Sequence, residues 1–402
     1  MKTEIIRKGI DIMEAKMTEA GFYTNVPFSV DGRNFDSMYD AGDNALMLYW
    51  EDISAEAFDI YAESLEKQGF DKYQALDNRA VASATYVKDG VCVYVYYLKR
   101  CAALRVITQR EWALPTLEYD YEKLCDAAVT QIGLDYSDPR VVGGMGYLIR
   151  LEDGTFAVID GGWNENDADI LYRLLLEQKP EEVKDIVITA WFITHAHIDH
   201  CGVYNGFVRK YKDAVKVKML VGNDPTDFIH SRLDNPPHIF AHAKKCKDFE
   251  GCVYAKVHTG QRLFFPGISV NILYSHEDIY PNFMYEINGA ATIAFDVVVN
   301  SDKTRFFFLA DVTEEGAGYL VKMYAEDMKC DVLQIGHHGN KGGSLELYSS
   351  CAPRLAFWPA RAEYPDRAHI VIQPQNDWIF KNAEAVIRSG NGNYTMYFGE
   401  NK

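Results

Sequence analysis

Residues Thr194-His195-Ala196-His197-Ile198-Asp199-His200 place three histidines and an aspartate within six positions, directly after the apolar run Ile186-Val187-Ile188-Thr189-Ala190-Trp191-Phe192-Ile193. A β-rich apolar run bounded by polar residues reads as a buried strand. The histidines therefore stand at a strand's carboxyl end, where α/β proteins place their ligands. Imidazole is the commonest metal ligand near neutral pH, and carboxylate oxygen suits the same borderline cations. Four such groups crowded together repel or desolvate one another unless a cation holds them. The cluster thus asks for a sheet whose strand ends converge, and it marks a metal site there.

At 402 residues the chain is long enough for two domains, each with a core of its own. A net charge of −17 opposes extended nucleic-acid binding, because phosphates are held by Lys and Arg. A small-molecule or short-chain ester substrate is expected instead. The segment Met1–Lys8 alternates charge with apolar residues and lacks a signal peptide's apolar core. No stretch has the length of a bilayer span, so no membrane partner is expected. Eight cysteines without CxxC pairs favour a reducing, cytoplasmic setting. The oligomeric state is not readable.

Two domains are expected, 1–117 and 118–402, with Leu114-Pro115 at the boundary. The first reads as a smaller α+β domain. It has an amphipathic helix from Ile5 to about Ala20, a strand Ala45–Trp50, and a helix from Ser54 to Gln68 stopped by Gly69. Strands Val81–Val87, Val91–Leu98 and Leu104–Thr108 follow, the first two joined by the hairpin turn Lys88-Asp89-Gly90. The second domain alternates strand and helix, the mark of an α/β layered domain. Its expected strands are Val141–Ile149, Phe156–Ile159, Ile186–Ile193, Val215–Val221, Gly260–Leu273, Ala291–Val299, Arg305–Leu309, Asp331–Ile335 and Ala356–Pro359. Helices are expected over Asp167–Glu177 and, as an insertion, from about Thr226 to Lys247.

Chemistry-bearing residues recur at these strand ends: Asp160, the His195–His200 cluster, Asp311, and the pair His337-His338. In this order they resemble the metallo-β-lactamase-fold hydrolase superfamily, whose signature is a strand-end Asp, HxHxDH, a later His, a bridging Asp and a final His. The resemblance covers roughly residues 128 to 400. Gly336-His337-His338-Gly339 and Leu309-Ala310-Asp311 are most similar to the branch containing the DNA-uptake channel's hydrolase-like domain and phosphorylcholine esterases. The resemblance implies an αββα sandwich of two mixed sheets with the metals at one edge. It implies that His195 and His197 hold a first metal, and that Asp199, His200 and one histidine of the 337/338 pair hold a second. Asp311 would bridge them, and Asp160 would orient a ligand histidine. Two zinc ions are the implied cofactor, with manganese or iron as alternatives. The implied chemistry is a metal-bound hydroxide attacking a phosphoester or phosphodiester. Lactone or amide hydrolysis, and a metal-stabilised binding protein without catalysis, are the alternatives. Asp199 stands where related flavo-diiron redox proteins carry HxExD, which favours hydrolysis.

Adjacent residues diverge in direction, so one of His337 and His338 is expected on metal and the other toward substrate, as general acid. The family's middle histidine has no clear counterpart. Asn288 occupies its usual place, and His276, twelve residues earlier, could fold back. Both are carried as an extra ligand or substrate contact, as is His369. Ala310 also replaces the glycine that usually precedes the bridging aspartate. His238 and His242 are four apart on the expected helix, but Lys244, Lys245 and Lys247 nearby oppose cation binding, so they read as structural.

Overall fold

The computed structural model describes residues 26–27, 29–42, 45–110, 113–114, 120–225, 240–279 and 292–399. The helix expected over Ile5–Ala20, Pro115 at the boundary, most of the 226–247 insertion with His230 and His238, and Asn288 lie outside them. The chain forms two compact units, Met1–Glu111 and Trp112–Lys402.

The first unit contains a short ribbon, β1 (Ser29–Val30) and β2 (Arg33–Asn34), and a six-stranded antiparallel sheet. That sheet comprises β3 (Ser37–Gly42), β4 (Ala45–Trp50), β5 (Asp71–Asp77), β6 (Val81–Lys88), β7 (Val91–Leu98) and β8 (Ala103–Arg110), in the order β3-β4-β8-β7-β6-β5. Asp89 and Gly90 both have positive φ, 48° and 74°, the backbone that a two-residue hairpin turn needs. Helix Glu56–Lys67 buries Ala57, Tyr61 and Leu65, one face at four-residue spacing, and Tyr61 meets Trp50 edge-on at 5.8 Å.

The second unit is a sandwich of two mixed sheets. Sheet I contains β9 (Ala128–Gln131), β10 (Gly146–Arg150), β11 (Phe156–Asp160), β12 (Ile186–Phe192), β13 (Val215–Val217), β14 (Met219–Gly222), β15 (Val253–Lys256) and β23 (Tyr394–Tyr397). Its order is β15-β14-β12-β11-β10-β9-β23, parallel from β11 through β15, with β13 also paired to β12. Sheet II runs β16 (Arg262–Phe265), β17 (Ile268–Tyr274), β18 (Ala294–Val299), β19 (Arg305–Phe308), β20 (Val332–Gln334), β21 (Leu355–Trp358) and β22 (Ala385–Arg388), and is parallel from β19 onward. Tyr147, Ile159 and Phe192 of sheet I and Val270, Phe295, Phe306 and Phe308 of sheet II share one buried cluster between the sheets. The other face of sheet I packs Val158, Ile188 and Trp191 on Leu171, Leu175, Tyr204 and Phe207 of helices Ala168–Gln178 and Ile198–Tyr211. Beside sheet II, Trp358 stacks on Phe380 of helix Pro374–Asn382 at 5.3 Å. The layers are therefore αββα, as expected.

β12 changes face partway along. Ile186 and Ile188 point to the helices, yet so do Trp191 and Ile193, while Ala190 and Phe192 point to sheet II. Strict alternation forbids that set. The register explains it: Phe156 pairs with Ile188 but Ala157 with Ala190, so Thr189 is an extra residue, a β-bulge five residues before Thr194.

Three expected strands differ from those found. The strand drawn from Val141 begins only at Gly146. Gly143 instead bridges Ala360, and Met145 N–H donates to the Asp199 carbonyl. The run Gly260–Leu273 is a hairpin, β16 and β17, turning at Pro266-Gly267 with Gly267 at φ 82°. Val215–Val221 breaks at Lys218 into β13 and β14.

Candidate metal centre

The strands of both sheets deliver polar residues to one edge. Asp160 ends β11 with φ 52°, and the cluster follows β12. His197 stands at the N-cap of helix Ile198–Tyr211, whose first turn carries Asp199 and His200. Asp311 follows β19, and His337 and His338 follow β20. These last two are consecutive residues at positive φ, 46° and 54°. The conformation costs a residue other than glycine about 1–2 kcal/mol.

Two groups of donors form. Asp199, His200, Asp311 and His338 make one, and His195, His197 and Asp311 the other, each with its donor atoms within 4.8 Å of one another. The two groups share Asp311. Its Oδ1 lies 3.1 Å from His200 Nε2 and 3.6 Å from His338 Nε2. Oδ2 lies 3.6 Å from His195 Nε2 and 3.8 Å from His337 Nε2. His195 Nε2 and His197 Nδ1 are 3.1 Å apart, and His338 Nε2 is 3.0 Å from Asp199 Oδ2.

The surrounding hydrogen bonds set which ring nitrogens face inward. His338 Nδ1–H donates to the Pro359 carbonyl at 2.8 Å. His200 Nδ1–H donates to Asp160 Oδ2 at 2.7 Å. Asp160 is fully buried and also accepts from the Thr194 backbone N–H and hydroxyl, both at 2.8 Å. With its only proton committed to Asp160, the Thr194 hydroxyl must accept from His195 Nδ1 at 3.1 Å. Each assignment leaves a lone pair on Nε2, aimed at a carboxylate or at another imidazole.

With those tautomers, acceptors face acceptors at 3.0–3.1 Å, an arrangement that either a proton or a metal ion between them satisfies. His200 Nε2 and Asp311 Oδ1 are buried without a hydrogen-bond partner, which a bound ion would relieve; His197 Nε2 and His337 Nδ1 are buried without one as well. The buried carboxylates draw positive charge toward them, which either a second proton on His200 and His338 or a bound ion supplies. Burial pushes the Asp199 and Asp311 carboxyls up, but the imidazoles around them outweigh it and hold both low. Burial pushes His200 and His338 down, but the Asp311 carboxylate, with Asp160 beside His200 and Asp199 beside His338, drives both up. His195, buried beside two other imidazoles, is held well below the usual histidine range and stays neutral. Neutral imidazole nitrogen and carboxylate oxygen form a donor set suited to divalent transition metals. The residues present fit two such ions.

The cluster opens on a cleft of about 160 Å³ lined by Arg140, Gly143, Trp163, Asp199, His337, His338, Asn340 and Tyr364. Gly143 leaves room for His338, since a Cβ there would stand 2.5 Å from the imidazole Cγ.

The other candidates fall elsewhere. His276 is buried, with Nε2 2.9 Å from Asn223 Oδ1, and belongs to neither donor group. Beside it His258 Nδ1 donates to Glu277 at 2.9 Å. His369 is exposed, edge-on to Tyr364 at 6.1 Å. His242 donates from Nδ1 to Asp224 at 2.7 Å. Asn288 lies outside the described residues. The sequence reading had no role for Thr194, the Pro359 carbonyl or Gly143. Only the Gly143-Gly144 pair carried a signal, of close backbone approach.

Residues 139–259, which include the His195–His200 cluster, match the family model of the metallo-beta-lactamase superfamily. Among solved structures, the chain is similar to the metallo-beta-lactamase fold protein YhfI from Bacillus subtilis, with 12% identity over 68% of this chain and 100% of that one, at a TM-score of 0.40. It is also similar to CmlA, a diiron beta-hydroxylase from Streptomyces venezuelae, with 11% identity over 87% and 79% of the two chains, at a TM-score of 0.42. No curated protein matches the sequence. No helix among the described residues is long and apolar enough to cross a membrane.

Proposed function

We propose that the second unit is a dinuclear metallohydrolase of phosphoesters or phosphodiesters. The observation that carries this reading is the pair of donor groups sharing Asp311 beside an open cleft. His195, His197 and Asp311 would hold one ion, and Asp199, His200, Asp311 and His338 the other. When bound, two such ions supply Lewis acidity and a hydroxide-strength nucleophile near neutral pH. Zinc is the ion proposed; its usual imidazole and carboxylate donors are present, and iron and manganese accept the same set.

The protein's own part is orientation. Asp160, Thr194 and the Pro359 carbonyl keep the protons of His200, His195 and His338 on Nδ1. Arg140, paired with Asp138 at 2.6 Å, brings a guanidinium to the cleft and favours an anionic substrate group. Trp163 and Tyr364 offer apolar walls for the remainder of the ester. The four residues His197-Ile198-Asp199-His200 support hydrolysis over redox chemistry.

Metal analysis combined with turnover of bis(p-nitrophenyl) phosphate, a lactone and nitrocefin tests the proposal. Two equivalents of metal per chain and preferential phosphodiester cleavage are expected after zinc loading. Stoichiometric metal with no ester turned over, under zinc, manganese or iron, would count against catalysis and favour a metal-stabilised binding protein.

A further inference from the structure

The His195/His197 group has three donors where the Asp199/His200 group has four. The family resemblance leads one to expect a further histidine on that side, but neither His276 nor His369 belongs to a donor group. Asp311 indicates where to look, because its two oxygens sort the imidazoles around it. Oδ1 faces His200 and His338, at 3.1 and 3.6 Å. Oδ2 faces His195 and His337, at 3.6 and 3.8 Å. His337 therefore stands on the short side.

We propose that His337 is the remaining ligand of the first metal, so that the two adjacent histidines serve one metal each and neither is a general acid. Resting on the dinuclear reading above, this gives donor sets of His195 Nε2, His197 Nδ1, His337 Nε2 and Asp311 Oδ2 on one side. Asp199 Oδ2, His200 Nε2, His338 Nε2 and Asp311 Oδ1 stand on the other. Ligands 2.0–2.1 Å from one tetrahedral ion stand about 3.4 Å apart. Three of the six separations on the first side are 3.1, 3.6 and 3.8 Å, and three on the second are 3.0, 3.1 and 3.6 Å; His337 stands outside the 4.8 Å group of His195, His197 and Asp311, so its ring has to draw in toward the first ion on binding.

The backbone supports the same assignment. Two consecutive left-handed residues are rare and costly, and such outliers gather where function demands them. Here they part the two imidazoles, whose ring centroids lie 6.3 Å apart. Gly342 admits the turn, because a Cβ there would stand 2.8 Å from His337 Cβ and 2.0 Å from the Gly336 carbonyl oxygen. His337 Nδ1 is buried without a partner, so nothing else anchors the ring's other nitrogen.

The test counts and weighs metal in the full chain, stripped and reloaded with zinc or cobalt(II), for wild type, H337A, H337Q and H338A. Wild type should bind two ions. H337A and H337Q should each keep one tight ion and weaken the other by more than about a hundredfold, since losing even a ligand's hydrogen-bond partner costs about 10- to 100-fold. H338A should weaken the opposite site. H337C loaded with cobalt(II) should gain the near-ultraviolet thiolate-to-cobalt charge-transfer absorption that wild type lacks, a signal that does not depend on how H337A folds. Two ions bound with wild-type affinity in both H337A and H337Q, or H337C without that absorption, would overturn the assignment and leave the dinuclear reading intact. A wild-type chain that takes up no tight metal would overturn both.

Discussion

Thr194 has one hydroxyl proton and two neighbours that compete for it, Asp160 Oδ2 at 2.8 Å and His195 Nδ1 at 3.1 Å. Giving the proton to Asp160 fixes the tautomer of His195, so a residue that cannot ligate a metal still sets which nitrogen does. T194V keeps the shape and removes the hydroxyl. It should cost about 1–3 kcal/mol of stability, the penalty for leaving buried polar groups unpaired, and weaken metal binding about 10- to 100-fold. A variant with wild-type melting and wild-type metal affinity would refute that role. D199A and H200A should each lose metal and abolish hydrolysis while retaining wild-type circular dichroism. Unchanged metal content in both would remove these residues from the centre. Away from it, burial pushes the Glu277 carboxyl up, but the His258 imidazole outweighs this and holds it at about 2, against an ordinary 4.5. A carboxyl depressed in the folded state adds stability that is complete above its unfolded pKa and is lost as pH falls through the folded one. Melting followed from pH 5 to about pH 2 should therefore decline less steeply in E277Q than in wild type. Parallel curves would show that Glu277 contributes nothing to acid stability.

Helix Ile198–Tyr211 begins inside the histidine motif, so its own placement sets the centre. Gly202 and Gly206 lie four apart on one face and let the helix close on the backbone of residues 162–165. A Cβ at Gly202 would stand 2.1 Å from the Trp163 carbonyl oxygen, and one at Gly206 2.0 Å from that of Glu165. Low helix propensity here is traded for proximity. It also explains why this helix was not read from sequence, since its first half is rich in His, Asp, Cys and Gly. The loop before β10 contributes in the same way. G143A meets no positive-φ penalty, yet its methyl would press on the His338 ring. The expected result is at least a tenfold loss of affinity at the Asp199/His200 site, comparable to removing a ligand's support, with the other site unaffected. Isothermal titration with zinc distinguishes the two. Equal weakening of both sites would mean the loop acts through the fold rather than through His338.

At the scale of the second unit, the centre joins two sheets: His195 to His200 follow β12 of sheet I, while Asp311 and His337-His338 follow β19 and β20 of sheet II. A cation bound there is a cross-link between layers otherwise held by apolar packing. At a hundredfold excess over its Kd, each ion should stabilise the fold by about 2.7 kcal/mol. Chelation should lower Tm and zinc should restore it; an unchanged Tm would show that no ion ties the sheets together. Much of this architecture was legible in the sequence, because β11, β12 and β19 are apolar runs that end in Asp or His. The short strands β9, β15, β22 and β23 were not. Ala128–Gln131, for one, is fully buried yet half polar, with Thr130 bonded to Thr395 and Gln178, and Gln131 to the Ile387 carbonyl, so its pattern hides its burial. The sorting of His337 from His338 was also hidden, since it depends on a left-handed turn that neither residue announces. The extra residue at Thr189 has a consequence of its own. It absorbs one step of the alternation, so deleting Thr189 would leave a regular strand in which Ala190 still faces sheet II and Trp191 still faces the helices, and the bulge alone would be lost. A relative lacking that residue cannot be aligned through β12 without a gap, and an ungapped alignment would assign its buried side chains to the wrong layer.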